Sequence, residues 1–198
     1  MKRPVLVVLA LAIIGFAVYF LIFKKDKKNS GPKDKPIAMG EHTDVFNQSF
    51  NKLLTAYMSV KDALVLSDTA KVNVAASSLI TSASELKTDE IKGDTNGIIK
   101  ATAIDFVNTV SASAKTLLTE NDLEAKRKEF KIISETMWSL TRTVKYNGQK
   151  VYYQYCPMAF NNQGANWISN DLVIKNPYFG DAMLECGSVE DSLDYSKK

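Results

Sequence analysis

Apolar residues recur at intervals of three, four or seven positions along four stretches of the chain, which places them on one face of an α-helix. The four stretches are 46–64, 72–86, 99–117 and 123–144. Residues 67–69 (Ser-Asp-Thr) supply capping side chains for the second helix, and the glycine-containing, acidic segment 87–97 forms the next loop. Amphipathic helices with short connections predict a mainly α fold, a four-helix up-down bundle. The expected core includes Phe50, Leu79, Phe106, Phe130 and Ile133.

The pattern changes after about residue 142, where a small cap on the bundle is predicted to begin. Residues 142–146 and 149–155 flank Asn147-Gly148, a pair that favours the two-residue turn of a β-hairpin. Alternatively, the fourth helix continues to Lys145 and only the second strand forms. Farther on, Asn176 and Pro177 predict the start of a short helix that ends before Gly187. The cap, a β-hairpin with loops, would therefore span about 142–189.

An uncharged apolar run precedes the bundle, at residues 4–23. Twenty helical residues are about 30 Å long, one hydrocarbon thickness, so the run predicts a transmembrane helix. A cleaved signal peptide is the alternative, but the run is long for one and no small-x-small cleavage site follows it. The expected organisation is an anchor at 1–25, a flexible basic linker at 26–41, the helical-bundle domain with its cap at 42–189, and a disordered tail at 190–198.

The net charge of +3 is unevenly distributed, because residues 1–40 carry +6 and the remainder carries −3. The mildly acidic body lacks the basic field that nucleic acid binding requires, so no nucleic acid partner is expected. The chain has one histidine and no glycine-rich phosphate loop, so it fits no common enzyme template and is predicted not to be an enzyme. The histidine, His42, is expected to be solvated rather than a metal ligand.

The two cysteines, Cys156 and Cys186, each have a methionine close by, Met158 and Met183. Thiolate and thioether sulfurs are soft donors that suit Cu(I) and Ag(I). On the predicted short helix, Met183 and Cys186 are three residues apart and share a face. These four residues are therefore the candidate metal ligands. The alternatives are a Cys156–Cys186 disulfide with the methionines as packing, or two inert buried thiols. A metal site and a disulfide both require the two cysteines to be close, and the spacing alone leaves the choice open.

Four short motifs in this region carry a resemblance to a known family. They are Tyr-Cys-Pro-Met-Ala at 155–159, Trp-Ile-Ser-Asn at 167–170, Ile-Lys-Asn-Pro-Tyr-Phe-Gly-Asp at 174–181 and Met-Leu-Glu-Cys-Gly at 183–187. In this order they resemble a bacterial domain of unknown function, found alone behind a membrane anchor or at the C-terminus of periplasmic adaptor subunits of copper/silver efflux pumps. A looser similarity extends over the helices, through Lys61-Asp62-Ala63-Leu64-Val65, Ser67-Asp68, Arg127, Phe130 and Ser134.

The resemblance implies a place in the inner membrane with the body facing the periplasm, and a context of heavy-metal efflux or tolerance. The charges flanking the apolar run favour the opposite side, since two Lys/Arg precede it and four follow. We follow the resemblance. The expected function is a membrane-anchored extracytoplasmic module that binds Cu(I) or Ag(I). The alternative is a disulfide-stapled interaction module that docks on an efflux adaptor or another envelope partner.

Overall fold

The computed structural model describes residues 42–196. The predicted anchor at 1–25 and linker at 26–41 lie outside the described residues. Within 42–196, no helix is long and apolar enough to cross a membrane.

Four long helices form the body, as the hydrophobic spacing predicts. They are α1 (Asp44–Val65), α2 (Thr69–Ser84), α3 (Ile98–Thr119) and α4 (Leu123–Val144). Polar side chains cap three of them, because an exposed helix N-terminus has backbone N–H groups without helical partners. The Asp68 carboxylate accepts from Lys71 N at 3.0 Å, as expected for the second helix. Asp122 and Thr43 serve α4 and α1 in the same way.

The four helices pack in chain order, α1 on α2, α2 on α3 and α3 on α4, whereas α1 and α4 approach each other in few places. Large side chains fill the gap between them. The rings of Tyr57 and Phe130 stack there at a centroid distance of 5.3 Å. Strand β2 (Ala165–Ser169) also packs on α4. The cap is therefore part of the wall of the bundle rather than a lid on one end.

The predicted core positions are correct with one exception. Phe50, Leu79, Phe130 and Ile133 are fully buried, but Phe106 is only partly buried against the core. A buried cation, Lys126, lies where sequence reasoning expected none. Its ammonium group donates to Asn73 Oδ1 and to Leu117 O, each at 2.8 Å. Burial lowers the pKa of Lys126. Its two hydrogen bonds tie α4 to α2 and to the last turn of α3.

The cap is a three-stranded antiparallel sheet rather than a β-hairpin, with strand order β2-β1-β3. Strands β1 (Val151–Cys156) and β3 (Ser188–Leu193) complete it. The predicted first strand at 142–146 is wrong, and the alternative is correct, because α4 continues through Val144. Lys145 then adopts a left-handed conformation (φ 49°) that ends the helix. The Tyr146 ring stacks on Phe50 with a centroid distance of 4.4 Å.

The C-terminal segment also differs from the prediction. Residues 190–193 were expected in a disordered tail, but they belong to β3 and pair with β1, with Val151 opposite Leu193. The strand is mostly exposed and polar, so it carries no alternating apolar signal. Its backbone hydrogen bonds to the central strand explain its order.

Two buried tyrosine hydroxyls satisfy the outer edge of β2. Ile168 N donates to the Tyr57 hydroxyl at 2.9 Å, and the Tyr57 and Ser134 hydroxyl oxygens lie 2.8 Å apart. The Tyr178 hydroxyl donates to Asn166 O, two residues earlier on the same strand. Burial raises the pKa of Tyr57 and of Tyr178 above the usual range of a phenol, so both remain neutral hydrogen-bonding groups.

His42 is half-buried rather than solvated, which corrects the sequence expectation. Its Nδ1 accepts from Lys92 N at 3.2 Å, and its Nε2 bonds to Val144 O. A carbonyl can only accept, so Nε2 carries the proton and the ring is neutral. The ring also packs on Phe46 at a centroid distance of 4.6 Å. Burial lowers the pKa of His42, partly offset by the bond to Val144.

A lowered histidine pKa makes stability depend on pH with a definite sign. The unfolded chain, in which His42 titrates near 6.5, binds a proton more readily than the folded chain. The free energy of unfolding is therefore expected to fall as pH decreases below about 6.5, and to be undiminished above it. Urea unfolding of the full chain between pH 5.5 and 7.5 measures this slope. His42→Gln removes the only histidine and should flatten it; an unchanged slope in this variant would contradict the assignment.

Candidate functional site

The structure brings the two cysteines together although they are thirty positions apart. Cys156 is the last residue of β1 and is fully buried, and Cys186 lies in the loop before β3 and is partly exposed. Their sulfur atoms are 3.1 Å apart. The hydrogen bond between the two thiols, together with desolvation and the charge of Cys156, raises the pKa of Cys186. Cys186 is therefore a protonated thiol over a wider pH range than an ordinary cysteine.

The 3.1 Å distance between the two sulfurs can be compared with the sulfur–sulfur distances in a disulfide and in a two-thiolate metal site. A disulfide needs its sulfurs about 2.05 Å apart. A metal ion between two thiolates needs them about 4 to 4.6 Å apart, if each metal–sulfur bond is about 2.3 Å as in zinc sites. The observed pair lies between these values, so either state needs a shift on the order of 1 Å. Cys186, on a partly exposed loop, is the partner with room to make it.

The amide of Asn176 organises the loop that carries Cys186. This buried side chain accepts from Tyr178 N through Oδ1 and donates to Cys186 O through Nδ2, both at 2.8 Å. The Asn176 backbone N also donates to Leu184 O at 2.8 Å. Asn176 thus caps a turn, as predicted, but the expected helix shrinks to one 3₁₀ turn (Gly180–Ala182). The helical face proposed for Met183 and Cys186 does not exist.

Arg127 joins this loop to the helices. Its Nε donates to Pro177 O at 3.0 Å, and its Nη2 donates to Ser67 Oγ at 3.1 Å, in the turn between α1 and α2. Gly180 sits against the same turn with a left-handed φ of +57°. A Cβ at Gly180 would lie 2.7 Å from Val65 O, closer than Cβ atoms come in folded proteins. A large part of the Asn-Pro-Tyr-Phe-Gly motif therefore serves to seat the loop.

The two candidate methionines occupy a different part of the surface from the cysteines. Met158 and Met183 are 44% and 37% exposed. Both line a concavity of about 300 Å³ to which neither cysteine contributes. The concavity is lined by Glu124, Met158, Phe160, Asn161, Asn162, Tyr178, Phe179 and Met183. The structure thus brings Cys156 and Cys186 together and places Met158 and Met183 on one concavity, but it does not place the four sulfurs around one cavity.

A left-handed turn shapes one wall of this concavity. The four-residue segment α5 (Ala159–Asn162) is not a right-handed helix, because Phe160, Asn161 and Asn162 have φ values of 53°, 57° and 65°. Asparagine tolerates this region, but a bulky residue such as phenylalanine is strained there. The turn places the Phe160 ring edge-on to Tyr178, at a centroid distance of 5.3 Å. Sequence reasoning missed Phe160 and Glu124 as lining residues, and no motif signalled them.

The other aromatic residues of the cap pack it onto the helices. Tyr153 stacks on Trp138 at 4.3 Å with an interplanar angle of 8°. Tyr178 contacts both Phe130 and Trp167, with ring centroids about 6 Å away in each case. Burial raises the pKa of Tyr153 to about 12, so this phenol is neutral at any physiological pH.

These features define a helical bundle completed by a small antiparallel sheet, with a two-thiol pair at the end of the central strand. Residues 53–149 match the model of a protein family described as a protein of unknown function, DUF3347. The chain therefore contains a domain of unknown function, as the resemblance implied. The match covers most of α1 and all of α2, α3 and α4; the four motifs at 155–187 lie beyond it. No curated protein and no solved structure matches the chain.

The contribution to stability of the close approach between Gly180 and Val65 O can be measured by comparing two glycines. Gly180 and Gly97 both have a left-handed φ, +57° and +75°, but only Gly180 is crowded. Gly97→Ala should lower the free energy of unfolding by about 1 kcal/mol through backbone strain alone. Gly180→Ala should lower it by about 2–4 kcal/mol, since the new Cβ also displaces Val65 O. Urea denaturation measures both, and equal losses would show that the close approach contributes nothing.

Proposed function

We propose that the chain is a membrane-anchored extracytoplasmic module that binds one Cu(I) or Ag(I) ion through the Cys156 and Cys186 thiolates, in heavy-metal efflux or tolerance. The observation that carries the proposal is the closeness of the two cysteine sulfurs, 3.1 Å apart. Two thiolates on a shared ion form a soft, low-coordinate site, which hard ions such as Mg²⁺ or Ca²⁺ do not favour. Among residues 42–196, no cluster of three or more His, Cys, Asp and Glu side chains offers a rival site.

Protons set the pH dependence of such a site. Binding converts two thiols and one monovalent ion into a bis-thiolate complex of charge −1 and releases two protons. Because the pKa of Cys186 is raised, protons compete more strongly there than at an ordinary cysteine. Affinity should therefore rise with pH through the neutral and mildly alkaline range.

The test is competition for Cu(I) against a coloured Cu(I) chelator, using the reduced full-length chain in a mild detergent. The wild type should remove one equivalent of Cu(I). Cys156→Ser and Cys186→Ser should each weaken binding at least 100-fold, because each removes half of the anionic donor set. Met137→Leu, at a buried core methionine, is the matched control and should not change binding. A reduced wild type that fails to compete, or a double Cys→Ser variant that competes equally well, would refute the proposal.

A second candidate function is an interaction module stapled by a Cys156–Cys186 disulfide that docks on an efflux adaptor or another envelope partner. The full burial of Cys156 favours it, because a buried thiol is well suited to a structural bridge and poorly placed to exchange a metal. Closing the bridge would covalently fix the loop of Asn176 to the central strand. Thiol titration with and without reductant separates the two: no free thiol in the air-purified chain, and no metal binding after reduction, would favour the staple.

The membrane placement rests on residues 4–23 together with the resemblance. We propose that the body, residues 42–196, faces the periplasm from the inner membrane. Protease added to intact spheroplasts should then digest the body. Complete protection that disappears on lysis would place it in the cytoplasm instead, as the flanking lysine and arginine residues favour.

A further inference from the structure

The described methionines fall into two groups with different surroundings. Met58 and Met137 are buried in the helical core, 7% and 0% exposed. Met158 and Met183 are both exposed, they come from segments twenty-five positions apart, and they line the same concavity. Thioethers that serve packing lie inside, as the first pair does. The second pair is instead exposed to solvent in one depression.

The remaining walls of the depression suit a monovalent soft cation. Phe160, Tyr178 and Phe179 supply aromatic surface, and aromatic faces attract cations through their quadrupoles. Glu124, another lining residue, contributes one carboxylate, which offsets one positive charge. Thioethers bind Cu(I) and Ag(I) without adding charge or releasing a proton. Lys128 and Lys131 line the adjacent depression, and the Lys131 ammonium lies 5.9 Å from the centroid of the Phe160 ring, where it competes with an incoming ion for that ring face.

The Phe160 wall of the depression has a strained backbone, which lowers the stability of the fold unless neighbouring groups hold it in place. A phenylalanine at φ 53°, between Ala159 and two left-handed asparagines, persists only if its surroundings hold it there. The ring is held by its edge contact with Tyr178, which is itself fixed through Asn166 O and Asn176 Oδ1. The Phe160 wall of the depression is thus preorganised by the same buried groups that hold the cysteine-bearing loop in place.

We propose that Met158 and Met183, with the aromatic walls of Phe160, Tyr178 and Phe179, form a second binding site for Cu(I) or Ag(I) that works without the cysteines. This site binds the same class of ion as the Cys156–Cys186 pair of the proposed function, but through different donors. Each proposal can therefore be disproved without disproving the other. Being neutral and exposed, the site holds the ion more weakly and exchanges it faster than a pair of thiolates.

The test uses methionine methyl groups as reporters in the thiol-free full-length chain, Cys156→Ser/Cys186→Ser. The chain, labelled with methyl-¹³C methionine, is titrated with silver nitrate in chloride-free buffer. The Met158 and Met183 signals, assigned by Met→Leu variants, should shift together and saturate at one equivalent. Met58 and Met137, in the same sample, are internal controls and should not move. Their unchanged signals also show that the variant is folded.

Substitutions then separate a shared site from two independent contacts. Met158→Leu or Met183→Leu preserves volume and removes one donor. Each should weaken silver binding at least 10-fold and abolish the shift of the other methionine. Unmoved Met158 and Met183 signals at millimolar silver would overturn the proposal, and would leave the depression as a pocket for an apolar side chain of a partner. Shifts seen only when the cysteines are present would also overturn it, because the methionines would then be auxiliary ligands of the dithiol. Neither result bears on whether the thiols themselves bind the metal.

Discussion

The structure depends on how the outer edge of β2 is satisfied inside the protein. An unpaired strand edge in an apolar interior leaves backbone N–H and C=O groups without partners, which is costly. Here the hydroxyls of Tyr57 and Tyr178 take the place of a neighbouring strand, at Ile168 N and Asn166 O. Because Tyr57 also meets Ser134, one hydroxyl group connects α1, α4 and the sheet. The position of the sheet, and of Cys156 on its central strand, follows from this arrangement.

The same interface explains why residues far from the cysteines belong to the pattern of resemblance. Arg127, Phe130 and Ser134 lie along one face of α4, and each touches the cap or the tyrosine that holds it. Ser67 belongs to the α1–α2 turn that receives Arg127 and the Gly180 loop. These residues have no place in a metal site. Their part is to fix the loop on which Cys186 and Met183 are carried.

The sequence predicts the helices well because a repeat of 3.6 residues over twenty positions is a strong signal, and their caps agree with it. The hairpin prediction fails because Asn147-Gly148 is a local signal, whereas the apolar stripe of α4 continues through Leu140 to Val144 and prevails. Strand β3 is missed since its side chains are exposed and only backbone pairing orders it. The sequence also predicts that the two thiols lie close together, because a disulfide and a shared metal site both require it. The separate methionine concavity could not be predicted, because it depends on a left-handed turn at Phe160 that no residue pattern announces.

The Tyr57 hydroxyl, which contacts both Ser134 on α4 and Ile168 on β2, makes the helices and the sheet one folding unit. The family match ends at residue 149, before the first strand. A polypeptide that ended at residue 149 would keep all four helices, yet Tyr57 would lose its contact with Ile168 N and Phe130 would lose the Tyr178 ring. Contacts such as Tyr57 to Ile168, 111 positions apart, form only after the last strands have been synthesised. The unit that folds therefore extends beyond the matched residues, to the end of β3.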